Sequence, residues 1–170
     1  MRMPGKALAC AGAIVFAGGM MLVARQGEAK TRTVAAVDDC RHEIEAFNKR
    51  FVDAHSKMDN ALVMSLWAED GVSLLPQTAP MVGKATISKF LDDVTARMPG
   101  YHMEKLDVEF QGIEVSGDWA SEWGFEHQMV RPPDDRPVFD GYGKMLLVLH
   151  READGNWRIK REMWNQSEKR

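Results

Sequence analysis

The sequence predicts an α+β fold in which helices cover one face of a curved antiparallel sheet. Between residues 37 and 98 apolar residues recur with the period of an α-helix, whereas after Gly100 they alternate with the period of two that strands show. Gly112 interrupts the first long strand and predicts a bulge, and a bulged sheet curls. A curled sheet capped by a long helix encloses a conical space, where we expect a ligand to bind.

The length and composition are those of one ordinary globular domain. The chain has 170 residues, of which 45% are hydrophobic and 28% charged, and a domain usually takes roughly 100 to 200 residues. We expect the domain to span residues 38–166, after a linker at 30–37 and before a short tail at 167–170. The formal net charge is −3, so the chain is not expected to bind nucleic acid.

The first 29 residues have the pattern of a secretory signal peptide. Arg2 and Lys6 precede an uncharged stretch, residues 7–24, which Arg25 follows. This stretch is also near the lower length limit of a spanning helix, so the alternative is an uncleaved anchor, the one membrane attachment that we expect. In both cases the domain is expected to be secreted or periplasmic. Cleavage would remove three of the 22 basic and one of the 25 acidic residues, leaving a net charge of −5. It would also leave Cys40 as the single cysteine, which excludes an internal disulfide.

Three helices are predicted ahead of the long strands. The first has a continuous apolar stripe at alternating intervals of three and four residues, formed by Val37, Cys40, Ile44, Phe47, Phe51, Ala54 and Met58. Asp59 is placed to cap a second, short helix, which we expect to extend through Trp67 and to end at Gly71. The third helix has one apolar face between residues 87 and 98 and ends at Pro99.

The strands are predicted to form a meander. A short strand at residues 72–75 stops at Pro76, and Met81-Val82 is expected to pair back on it. Four longer strands are predicted at residues 105–115, 119–130, 138–151 and 156–165.

The strand at residues 119–130 has two very different faces. Trp119, Trp123, Phe125 and His127 share one face, and small or charged side chains occupy the other. We expect the aromatic face to point inward, with His127 lining the interior. Imidazole as a residue type titrates near neutral pH, which makes His127 the candidate catalytic proton carrier. The alternative is a structural histidine, satisfied by one hydrogen bond at the end of the sheet.

No metal and no cofactor are predicted. The five histidines, at residues 42, 55, 102, 127 and 150, lack the spacing of a zinc site, which needs three or four converging ligands. Besides His127, the predicted ligand-binding residues are Phe51, His55, Trp123, Tyr142, Arg161 and Trp164. Aromatic rings build cores as well as pockets, so both interpretations of these rings stay open.

The order of several short motifs resembles a known family. After the long helix come Asp59 to Trp67, Ala68-Glu69-Asp70-Gly71-Val72, Leu75-Pro76, Gly83-Lys84 before a helix, Trp119-Ala120-x-Glu122-Trp123-Gly124, Asp154-Gly155-Asn156-Trp157-Arg158-Ile159 and Arg161-Glu162-Met163-Trp164-Asn165. In this order they are similar to the SnoaL-like and ketosteroid-isomerase-like proteins of the nuclear-transport-factor-2-like superfamily. The closing motif is similar to that of its often secreted, uncharacterised bacterial members. The resemblance covers residues 38–166.

The resemblance implies a cone-shaped sheet capped by three helices, frequent homodimers that pack through the outer sheet face, and a pocket. Members of the superfamily use that pocket for isomerisation, polyketide cyclisation, epoxide hydrolysis or no catalysis. The steroid isomerases use a helix tyrosine as an oxyanion donor and a carboxylate base just before a strand proline. Phe51 and Leu75 occupy these places here, so the steroid isomerase mechanism is not expected.

Two functions are therefore open. The first is an exported domain that binds a small apolar or aromatic molecule and, if catalytic, works by acid/base chemistry in the manner of an isomerase, cyclase or hydrolase. The second is a non-catalytic association or accessory module that forms a homodimer through its sheet face and fills the cone with its own side chains. The first function requires a cavity of several hundred Å³. The register of the last strand is also open, because a bulge there would exchange the faces of Arg161 and Glu162.

Overall fold

The protein is described by a computed structural model that covers residues 39–169. These residues belong to one structural unit, Val37–Arg170. The predicted leader at residues 1–29 and the predicted linker at 30–37 lie outside the described residues. No helix in the described part of the chain is long and apolar enough to span a membrane.

Three helices supply one side of the core. Helix α1 covers residues 39–56 of the described chain, α2 is Asn60–Ser65 and α3 is Lys84–Ala96. The apolar stripe of α1 is confirmed in the described residues, since its buried members are Ile44, Phe47, Phe51 and Ala54. Asp59 caps α2 as predicted, because its carboxylate accepts a hydrogen bond from the backbone N–H of Leu62 at 3.0 Å.

Helix α2 is shorter than predicted, because a strand begins directly after it. Strand β1 is Trp67–Leu74 and includes Gly71, which we had expected to end a helix. Trp67 pairs with Ile159 of the last strand, and the backbone N–H of Ile159 donates to the carbonyl of Leu66 at 2.8 Å. Residues 66–68 are all buried, so their apolar run fits a helix or a strand, and tertiary pairing decides between the two.

The sheet has six strands and is not closed. The other strands are β2 (Met81–Val82), β3 (His102–Ser116), β4 (Trp119–Arg131), β5 (Phe139–Arg151) and β6 (Trp157–Ser167). Their order is β2-β1-β6-β5-β4-β3. All neighbours are antiparallel except β1 and β6, which are parallel. The α+β class is confirmed, and the sheet is mixed where we expected an antiparallel one.

Gly112 produces the predicted bulge in β3. Its φ is +64°, a conformation that favours glycine, and the register with β4 shifts between Gln111 and Glu114. A second irregularity lies in β6, between Ile159 and Arg161 in their pairing with β5. Bulges bend strands and increase their twist, so these two irregularities curl the sheet around the space beneath the helices.

The sheet has an inner face, which packs against the helices, and an outer face. In β4 the buried residues are Ala120, Glu122, Gly124 and Val130, which therefore belong to the inner face. Trp119 and Trp123 on the outer face are 46% and 39% exposed. The prediction that the aromatic face of this strand points inward is wrong. Alternation shows that two faces differ, but the position of the helices decides which of them is covered.

Candidate functional site

A cavity of about 320 Å³ lies between the helices and the inner face of the sheet. Its apolar lining residues are Phe51, Met58, Val63, Trp67, Leu75, Met81, Ile87, Phe90, Leu91, Val94, Met98, Met103, Leu106, Val130, Met145 and Trp164. The volume falls within the range of small-molecule sites, roughly 300 to 1,000 Å³. Five of the lining residues are methionines, and flexible methionine side chains adapt their packing to different ligand shapes.

Glu162 of β6 places a carboxyl on the cavity wall. It lies directly opposite Ser73 of β1, and the buried Ser73 hydroxyl donates a hydrogen bond to Glu162 Oε2 at 2.8 Å. Although the residue keeps some accessible surface, burial raises the pKa of the Glu162 carboxyl. The bond from Ser73 offsets part of this rise, and the nearby charge of Glu126 adds to it.

The bulge in β6 resolves the register of the last strand. Ile159 and Glu162 both face inward although they are three residues apart, which simple alternation would not allow. Arg161 pairs with Val148 and is exposed, with its guanidinium donating to the carbonyl of Lys160 at 2.6 Å. Of the two residues left open by the sequence, Glu162 therefore points into the cavity.

Glu126 of β4 places a second carboxyl on the same wall. Burial raises the pKa of the Glu126 carboxyl, and a hydrogen bond from the Trp164 indole of β6 offsets part of the rise. Ser73 thus donates directly to Glu162, and the Trp164 indole favours the ionised form of Glu126.

These two residues, which we call the carboxyl pair, have no cationic partner on the described cavity wall. Among the described residues that line the cavity, none is a lysine or an arginine. Two carboxyls that repel each other in apolar surroundings do not both ionise readily, and their protons come off in coupled steps. The pair therefore offers a proton donor and a proton acceptor together over a range of pH.

His55 adds a neutral acceptor at the α1 end of the cavity. Its Nδ1 lies 2.7 Å from the carbonyl oxygen of Phe51, and its ring centroid is 4.0 Å from that of Phe51. A carbonyl only accepts, so Nδ1 carries the proton and Nε2 keeps its lone pair. Burial lowers the pKa of His55, and the hydrogen bond to Phe51 partly opposes this, so the ring is neutral at neutral pH.

Glu122 is a third inner-face carboxyl, but it lies in the core and not on the cavity wall. It is 1% exposed and accepts a hydrogen bond from Asn48 Nδ2 of α1 at 2.8 Å. Its other oxygen and the Asn48 Oδ1 atom are buried without a partner among the described residues. Burial raises the pKa of Glu122 to about 7. A protonated Glu122 removes the cost of a buried charge.

Three of the six predicted ligand-binding residues line the cavity: Phe51, His55 and Trp164. The other three do not. Trp123 and Arg161 are exposed on the outer face, and Tyr142 lies in a separate depression on that face.

The prediction that His127 lines the interior is wrong. His127 shares the outer-face depression with Tyr142, on which its ring stacks at 4.3 Å between centroids. Its Nε2 lies 2.7 Å from Asp140 Oδ1. These contacts are those of the structural alternative, and His127 would meet a substrate only on the outer face.

Sequence reasoning missed the carboxyl pair, although a signal was present. Glu126 alternates with Gly124 and Glu122, so the face that buries the small residues also buries the acids. We expected the aromatic face of β4 to point inward, which left this face to solvent, where carboxylates are usually found. The described residues contain no group of three or more histidine, cysteine, aspartate or glutamate side chains arranged to hold a metal ion.

The comparisons agree with the motif order. The model of the SnoaL-like domain family matches residues 36–162, and the chain belongs to that family. No protein with a curated description matches the chain.

Three solved structures illustrate the shared fold. A ketosteroid isomerase-like protein from Erwinia carotovora atroseptica is 20% identical, with a TM-score of 0.64 over 74% of this chain and 95% of that one. A candidate scytalone dehydratase from Novosphingobium aromaticivorans is 17% identical, with a TM-score of 0.64 over 80% and 89%. A candidate dehydratase of the NTF2-like family from Streptomyces avermitilis is 18% identical, with a TM-score of 0.63 over 78% and 99%. At these identities the likeness establishes the fold alone, so function has to be argued from the site.

Proposed function

We propose that the protein is an exported SnoaL-like domain that binds a small, uncharged and largely apolar molecule and transfers protons on it. The observation that carries this proposal is the carboxyl pair of Glu126 and Glu162 in an apolar cavity. A ligand with a negative charge would meet two acids and neither a lysine nor an arginine on the described wall. A ketone or alcohol, in contrast, accepts a hydrogen bond from a protonated carboxyl without adding charge.

The two carboxyls fit complementary roles. The charge of Glu126 adds to the burial that raises the pKa of Glu162, and on this ground we assign the proton to Glu162 and the ionised form to Glu126. An enzyme works best with acid and base pKa values close to the operating pH, which burial achieves for glutamate. Glu126 is therefore the general base and Glu162 the general acid of the proposed reaction.

Dehydration of a β-hydroxy ketone is the reaction class that we propose. Glu126 takes a proton from the carbon between the carbonyl and the hydroxyl-bearing carbon, and a carbon–carbon double bond forms. The C–O bond breaks as Glu162 gives its proton to the leaving hydroxyl, which departs as water. Return of one proton from Glu126 to Glu162 through solvent restores the pair. The names of two structural neighbours, both candidate dehydratases, support this class as an analogy of fold.

The proposal is tested with a matched set of small aromatic compounds. The enone 4-phenylbut-3-en-2-one is expected to quench the fluorescence of the cavity residues Trp67 and Trp164. Cinnamate has a similar shape and a negative charge, and we expect it to bind at least about tenfold more weakly at neutral pH, because the described wall has no lysine or arginine and its histidine is neutral. Ultraviolet absorbance follows dehydration of 4-hydroxy-4-phenylbutan-2-one to that enone. Equal binding of cinnamate, or absence of both binding and turnover, would contradict the proposal.

The second candidate function is a homodimeric association module. Trp123, Leu146 and Met163 lie side by side across β4, β5 and β6 on the outer face and are 39%, 44% and 44% exposed. A continuous exposed apolar row is typical of a contact surface. Light scattering during size exclusion is expected to give the mass of a dimer for the native chain and of a monomer for Leu146→Glu. A monomeric native chain would exclude this function.

A further inference from the structure

Gly143 is a glycine whose backbone does not require one. The described glycines with positive φ are at residues 83, 100, 112, 117 and 155, and Gly143 is not among them. It lies in the interior of β5 on the inner face, where glycine weakens a strand relative to residues with a side chain. We therefore attribute the glycine at residue 143 to a neighbouring group that occupies the space where a side chain would lie.

The neighbour is the indole of Trp164. A Cβ at residue 143 would lie 2.7 Å from Trp164 Cε2 and closer still to Nε1, and real Cβ atoms do not approach other heavy atoms within 3.0 Å. The nitrogen end of the ring thus rests directly on the backbone of Gly143. An alanine at this position would push the indole away from it.

The strand register explains where the indole N–H points. Gly143 is paired with Glu126 of β4, whereas Trp164 of β6 is paired with Met145. The ring therefore crosses β5 diagonally over Gly143 and reaches the residue on the far side, Glu126. Glu162 lies on the other side of Trp164, two residues along β6, and takes its hydrogen bond from Ser73.

We propose that Gly143 is a positioning residue, which admits the Trp164 indole across β5 so that its N–H is held on Glu126 and makes Glu126 the base of the carboxyl pair. The assignment as base rests on the proposed function, whereas the link between Gly143, Trp164 and Glu126 does not. Trp164 stabilises the ionised form of Glu126, and among the described residues Ser73 is the donor to Glu162. The two acids are thus distinguished by which donor each receives.

The test follows the indole N–H resonance of Trp164 and the side-chain carboxyl resonance of Glu126 by NMR as a function of pH, without ligand. The variant Trp164→Phe identifies the indole signal by its loss. The variant Glu126→Gln lacks the Glu126 titration and so distinguishes it from the titrations of His55 and Glu162. In the native chain both signals are expected to titrate with one midpoint. In Gly143→Ala the indole signal is expected to lose its pH-dependent change at the Glu126 midpoint. The midpoint of the Glu126 carboxyl is expected to rise, because the lost hydrogen bond had favoured the ionised form.

Gly141→Ala is the matched control on the same face of the same strand. A Cβ there would lie 2.5 Å from Phe139 Cε1, a ring that is 51% exposed and free to turn away. We expect this variant to keep the shared midpoint. If Gly143→Ala does not fold, Trp164→Phe alone is expected to raise the Glu126 midpoint.

Three results would overturn the inference: an unchanged indole titration in Gly143→Ala, the same loss in Gly141→Ala, or an unchanged Glu126 midpoint in Trp164→Phe. The proposed function fails separately. A shared midpoint without ketone binding or turnover leaves the positioning role and removes the proposed reaction. If turnover depends on Glu126 but Gly143→Ala has no effect on the titration, the proposed reaction stands and the positioning role of Gly143 is removed.

Discussion

The two faces of strands β4, β5 and β6 depart from the usual pattern, in which the inner face of a sheet is apolar and the outer face is polar. The inner face carries three carboxyls in the described residues, the buried one of Glu122 and the half-buried ones of Glu126 and Glu162, whereas the outer face exposes an apolar row. Buried charged groups are costly and rare in protein interiors unless paired, so their presence beside an apolar cavity indicates function. Residue polarity alone therefore does not identify the face that holds the site, whereas the burial of the residues on each face does.

The largest effect is expected from removing the acids of the inner face. Glu126→Gln and Glu162→Gln each keep the shape of the side chain and remove its proton chemistry, so kcat/KM for dehydration of 4-hydroxy-4-phenylbutan-2-one should fall by about 10² to 10⁴-fold. Binding of the enone should persist in both. Glu114→Gln, an exposed glutamate of β3, serves as the control and should retain activity. Full activity in either pair variant would contradict the roles assigned to the pair.

Two neighbouring leucines of β5 measure the packing difference between the faces. Leu147 is fully buried on the inner face, and Leu146 is 44% exposed on the outer face. Leu147→Ala should lower the free energy of unfolding by about 2 to 5 kcal/mol through lost burial and a cavity. Leu146→Ala should change it by about 0.5 kcal/mol or less in the monomer. Urea unfolding checks both values, and a similar cost for the two would show that the outer face is also buried.

Glu122 makes stability depend on pH. Its pKa in the folded protein, about 7, exceeds the ordinary value of 4.5, so its favourable contribution is complete below pH 4.5 and is lost as the pH rises through 7. Relative to Glu122→Gln, the native chain should lose about 3 kcal/mol of unfolding free energy between pH 4.5 and 8. The acids of the cavity and His55 titrate in both proteins, so the difference isolates Glu122. Parallel pH curves from urea unfolding would show that Glu122 is not protonated in the core.

The smallest effect is expected at His127 on the outer face. His127→Ala removes the stacking on Tyr142 and the contact with Asp140, neither of which touches the cavity. Its kcat/KM for the β-hydroxy ketone should therefore stay within about threefold of the native value, a small change in activation free energy. A loss as large as that of Glu126→Gln would move the active site to the outer face.

The sequence was sufficient for the fold because several local signals agreed. The helical stripe of α1, the cap at Asp59 and the bulge at Gly112 each predict an element that the structure contains. The boundary between α2 and β1 was not predictable, because residues 66–68 are apolar throughout and fit both periods. Neither was the parallel pairing of β1 with β6, which depends on contacts far apart in the chain.

The site was harder to predict than the fold. Phe51, His55 and Trp164 were identified as pocket residues and do line the cavity. Glu126 and Glu162 were not, because the choice of inner face in β4 depends on where the helices pack, and the face of Glu162 depends on a bulge near Lys160. The alternation of residue types along a strand reveals neither the position of the helices nor the bulge.

The proposed reaction depends on one step, in which Glu126 removes a proton from carbon in an uncharged molecule bound in the cavity. The most direct measurement is exchange of the α-protons of 4-phenylbutan-2-one with deuterated water, followed by proton NMR, since exchange reports proton abstraction without requiring dehydration. Binding of this ketone is confirmed beforehand by tryptophan quenching. We expect exchange well above the buffer rate with the native chain and a return toward that rate with Glu126→Gln. Exchange at the buffer rate with the ketone bound, or an equal rate with Glu126→Gln, would contradict it.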